Sequence, residues 1–126
     1  SMSSGERLRP LGKEIAGDSL RDGYSSRADD GTESERAREA AMLFSAAEGH
    51  LDVEDFDEAL SAANDALRTF RELEDLVGIA DSIRVVVHAN RGIADNALVM
   101  EDDEAAANAL RRAEELVREE LEAFRS

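Results

Sequence analysis

From about residue 33 onward, apolar side chains return every three or four positions, and the phase is interrupted at only a few places. That period gathers them on one face of an α-helix; a half-buried strand would alternate every second residue. Residues 38–73 are the clearest stretch. Ala40, Leu43, Phe44, Ala47 and Leu51 form one stripe, and a polar break LDVED follows. Phe56, Ala59, Leu60, Ala63, Ala66, Leu67 and Phe70 then form a second stripe. The pattern predicts helices over about 33–49 and 56–73, joined as an αα-hairpin. Such a hairpin cannot bury its apolar face alone, so a neighbour is required.

Two further helices are expected. Ile79, Ile83, Val86, Val87 and Ala94 predict a helix over about 77–94. Val85-Val86-Val87 is β-branched, but three residues inside a helical period do not make a strand. Residues 95–100 read as the connection, with Gly92 weakening the helix before it. The last helix is expected from Glu101 to about 124, with Ala106, Ala109, Leu110, Ala113, Leu116, Val117 and Leu121 on its buried face.

Local chemistry marks the ends. Thr32 with Glu35, and Asp55 with Glu58, have capping-box spacing. Gly49 suits a helix C-terminus. Glu72, Glu74 and Asp75 crowd a helix end where the dipole disfavours acids, so Asp75 is expected to cap the following helix. Glu101 to Glu104 are four acids in a first turn, where the dipole favours them.

Residues 1–32 differ. They hold five of the eight glycines and the only proline, and they read as an extended, polar arm. Leu8, Leu11, Ile15, Leu20 and Tyr24 are its apolar anchors, too widely spaced to satisfy one another. The division is thus an arm over 1–32 and a four-helix domain over 33–126. The fold class is all-α, two stacked helical hairpins.

Charge narrows the partners. The net charge is −15; the arm has six acids against five bases, and residues 33–126 have 24 acids against ten bases. Such a domain repels nucleic-acid phosphates and anionic lipid, so neither is an expected partner. No apolar run is long enough to span a membrane. There is no cysteine, which excludes disulfides, thiolate metal sites and Cys nucleophiles. His50 and His88 are the only histidines, one per hairpin, and a metal site needs three or four converging ligands. Asp52, Glu54, Asp55, Asp57 and Glu58 cluster, but Phe56 interrupts them and the glycine of a calcium loop is missing. No phosphate loop, dinucleotide fingerprint or Ser/His/Asp signature is present, so neither a cofactor nor a catalytic residue is assigned.

Helices one and two recur as helices three and four. Ala40 matches Ala80 forty residues on, and Ala66-Leu67 matches Ala109-Leu110 forty-three on. Leu43, Ala47 and His50, then Asp55-Phe56, Glu58-Ala59, Ala63, Ala66-Leu67, Phe70, Arg71–Asp75 and Gly78–Ala80 carry a resemblance to the tetratricopeptide repeat of the longer, roughly 40-residue kind. It covers residues 36–124. Glu54 stands where the family usually has glycine, and Val87 where a small residue lets helices touch, so a looser second hairpin is expected. His50 takes the place of a packed aromatic, which implies a partly buried structural role.

Arg84, His88 and Arg91 fall at i, i+4 and i+7, on one helical face. The resemblance implies that this face lines a partner groove together with Phe44, Glu48 and Leu51. A basic stripe in so acidic a domain suits a carboxylate-bearing partner segment; the competing reading is internal pairing with Asp81, Asp95 or Glu48.

The expected function is therefore binding: a non-catalytic protein–protein interaction module, an accessory or adaptor subunit tethered through its arm to a larger assembly. Two repeats are fewer than such arrays usually need to stand alone, so a complex, a dimer or the arm should stabilise them. A processed Ser1 terminus would suit an imported organellar subunit, plastid or other, of a photosynthetic or respiratory complex. The alternatives are a small acidic helical enzyme using carboxylates and a free-standing peptide-binding repeat protein.

Overall fold

A computed structural model describes residues 31–125, with side chains from residue 34. The arm anchors Leu8, Leu11, Ile15, Leu20 and Tyr24 lie outside the described residues, as does the expected extended arm apart from Gly31 and Thr32, which are helical. Four α-helices follow in order: α1 (Gly31–Asp52), α2 (Phe56–Leu73), α3 (Leu76–Val99) and α4 (Asp103–Arg125). No strand occurs among the described residues. Each helix packs on the next, and α1 also touches α3; the backbone of α4 approaches α3 alone. The result is an open stack of helical hairpins rather than a closed bundle.

Three short turns connect the helices, and all three have the same construction. A glutamate takes the left-handed conformation at Glu54, Glu74 and Glu101, with φ of 62°, 56° and 61°. An aspartate follows each one. The glutamate N–H groups donate to Leu51, Arg71 and Leu98 carbonyls, and the aspartate N–H groups donate to those of His50, Phe70 and Ala97. These paired bonds close a helix C-terminus in the Schellman manner. Each aspartate carbonyl then accepts the first bond of the next helix, from Ala59, Ile79 and Ala106. Asp75 and Asp102 add side-chain caps, accepting from the backbone N–H of Gly78 at 3.0 Å and of Ala105 at 3.1 Å. The expected cap at Asp75 is thus present.

Three local expectations need correction. Asp55 begins α2 without a side-chain cap bond, so its capping box is not made. Helix α1 starts at Gly31, which places Thr32 inside the first turn rather than ahead of it. Helix α3 runs to Val99, so residues 95–99 are helical and the connection shrinks to Met100–Asp102. Gly92 does not weaken that helix. It is buried beneath the ring of Phe56, and Gly78 is buried in the same way beneath Phe70. A β-carbon at either glycine would overlap its ring. Phe56 and Phe70 stand fourteen residues apart on α2, and Gly78 and Gly92 fourteen apart on α3. Two aromatic knobs therefore seat in two glycine notches, which fixes the antiparallel register of α2 and α3.

The main core gathers Ala40, Phe44 and Ala47 of α1, Ala63, Ala66, Leu67 and Phe70 of α2, and Ile79, Val85 and Val86 of α3. Phe44 and Phe70 are its largest fully buried side chains. A smaller second cluster joins Ala94 to Ala106 and Ala109, where α3 meets α4. Alanine rows let these helices approach closely but bury little area each.

Candidate functional site

The cationic stripe on α3 resolves into two parts. Arg84 is half-exposed and donates to the Glu48 carboxylate at 3.4 Å; Asp81 lies 3.9 Å away. Glu48 is buried, so this pair ties α1 to α3. The competing reading, internal pairing, is therefore the one that describes Arg84. His88 and Arg91 are exposed, with no ion pair or hydrogen bond among the described residues. They form the free part of the stripe.

On α1 the groove assignment needs correction at two positions. Phe44 is 0% exposed and belongs to the core, so it cannot line an open groove. Glu48 is occupied by Arg84. Leu51 is half-buried against the core. His50 is also half-buried, with Nδ1 3.9 Å from an Asp55 carboxylate oxygen, and its carbonyl closes the first turn. That matches the structural role implied for it.

Among the described residues, no three His, Asp or Glu side chains converge as a metal ion would require. No described helix is long and apolar enough to cross a membrane.

The most conspicuous surface feature was not anticipated. On α4 only Ala106, Ala109 and Ala113 are buried. Leu110, Val117 and Leu121, expected in the core, are exposed at 48%, 37% and 51%, and Phe124 at 53%. These four stand at i, i+7, i+11 and i+14, so they form one apolar stripe along the helix. Val87 of α3 with Ala113, Val117 and Leu121 lines a groove of about 420 Å³, edged by Glu114 and Arg118. A second groove, of about 430 Å³, lies on the outer side of α1 along Arg38, Met42 and Leu43.

The sequence pattern does contain the α4 stripe, because seven apolar positions are too many for one contact face of a helix at the end of a stack. No protein-family profile, curated protein or solved structure matches the chain.

Proposed function

We propose that this chain is a non-catalytic protein–protein interaction module, an accessory or adaptor subunit built as a short stack of tetratricopeptide-like hairpins. The carrying observation is the apolar stripe Leu110, Val117, Leu121 and Phe124 on the outer helix of an open stack. A contiguous apolar face of this kind is the usual mark of a surface that another protein covers. The groove beside it has a small floor, Ala113, and suits bulky side chains brought by the partner. Arg91 adds a cation, and His88 a polar ring beside it, for carboxylates on a partner.

The test is capture with the full chain against a Val117→Asp, Leu121→Asp variant. Both positions are solvent-exposed, so the helical circular dichroism should not change. Proteins recovered stoichiometrically by the parent chain should be lost on the variant. An identical set on both chains, or none on the parent, overturns this reading.

A further inference from the structure

We propose that in the free chain the α4 groove is occupied by the chain's own residues 7–15, so that a partner must displace them; this rests on α4 being the interaction surface. Three observations select this occupant. The first is reach. Arg36 of α1 pairs with Glu72 at the end of α2, and Arg71 beside it pairs with Glu120 of α4. The start of α1 therefore lies at the same end of the stack as the C-terminal half of α4. Fifteen residues lie between Ile15 and Gly31, and extended they span about 50 Å. Crossing from α1 to α4 takes three interhelical spacings, about 27 Å.

The second is charge. Residues 7–15 hold Arg7, Arg9 and Lys13 against Glu14 alone, a local charge of +2 in a chain of −15. Helix α4 carries seven acids and four arginines. A second copy of the chain would bring the same acidic helix and the same net charge against it, and is repelled. The basic segment is attracted.

The third is shape. Forty-three residues before Ala113 in the repeat stands Phe70, which fills its own glycine notch. With alanine there instead, the α4 groove needs large side chains from outside. Leu8, Leu11 and Ile15 have the i, i+3, i+7 spacing that would present three of them on one helical face.

The chain has no cysteine, so a single Gly12→Cys substitution accepts one nitroxide spin label cleanly. In the ¹⁵N-labelled full chain, amide signals of α4 from Ala113 to Phe124 should lose intensity by paramagnetic relaxation. Adding Leu8→Asp and Leu11→Asp should restore them. Intact α4 signals, or loss confined to another helix, overturn the proposal. So does loss seen equally when labelled and ¹⁵N chains are separate molecules, because the contact would then lie between copies. Capture that depends on Val117 and Leu121 without any broadening of α4 removes only this inference. Broadening of α4 without such capture removes only the interaction reading.

Discussion

Helices α2 and α4 carry the same local sequence and meet different fates. Each has an alanine row and an Ala-Leu-Arg step, 66–68 in α2 and 109–111 in α4. Ala63 and Ala66 are buried, as are Ala106 and Ala109. The leucines part company: Leu67 is 3% exposed and Leu110 48%. The difference comes from neighbours. Helix α2 lies between α1 and α3, whereas the described contacts of the α4 backbone are with α3 alone. A helical stripe records what a helix can bury; what it does bury is set by the elements on either side.

The matched leucines give the largest effect. Leu67→Ala should destabilise the fold by about 2–5 kcal/mol, the range for a leucine deleted from a packed core. Leu110→Ala should cost about 0.5 kcal/mol or less, as at other surface sites. Chemical denaturation of the two variants measures both. Equal losses would mean that Leu110 is covered in solution, and the contrast between the helices would disappear.

Next comes the interlock that closes the second side of α2. Gly78→Ala drives a methyl into the Phe70 ring and should cost about 1–3 kcal/mol, as overpacking does. Gly49→Ala meets nothing within 4 Å and lies in the last turn of α1. It should instead stabilise by about 0.5–1 kcal/mol, through helix propensity. A stabilising Gly78→Ala would refute the notch.

These glycines also show where the sequence was legible and where it was not. The α2 boundaries agree with the expected 56–73, because its stripe is strong and polar residues bound both ends. The end of α3 was misplaced by five residues. Gly92, Asp95 and Asn96 have poor helix propensity, and the pattern does not reveal that Gly92 receives Phe56. The α3 stripe was legible as spacing, but whether Arg84 reaches inward to Glu48 or outward to a partner depends on the packing of α1 on α3. Burial of Phe44 has the same origin. The stripe of α4 was legible as amphipathicity, but the period does not say which of its seven apolar positions α3 covers.

A smaller effect probes an ion pair that joins α2 to α4. Arg71 is partly exposed, while Glu120 is largely covered. Arg71→Ala leaves that carboxylate without its partner and should cost about 1 kcal/mol, partly screened by salt. Glu120→Ala alone should cost less, because the exposed guanidinium regains water. The denaturation midpoints of the two variants, at low and high salt, test that order; a larger cost for Glu120→Ala would contradict it.

The smallest effect isolates what is local in both helices. Val53-Glu54-Asp55, Leu73-Glu74-Asp75 and Met100-Glu101-Asp102 share one pattern, an apolar residue followed by Glu-Asp. Each glutamate adopts a left-handed φ that glycine accepts without a β-carbon clash. Replacing each by glycine relieves that clash, against the extra entropy that glycine loses on folding. The net gain should be about 0.5 kcal/mol at each turn. The turn into α2 joins the buried side of the stack and the turn into α4 its open side, yet the backbone hydrogen bonds are the same. The three gains in thermal midpoint should therefore agree. If Glu101→Gly stabilised and Glu54→Gly did not, the turns would answer to their surroundings as the leucines do. The line between local and neighbour-set contributions would then have to be redrawn.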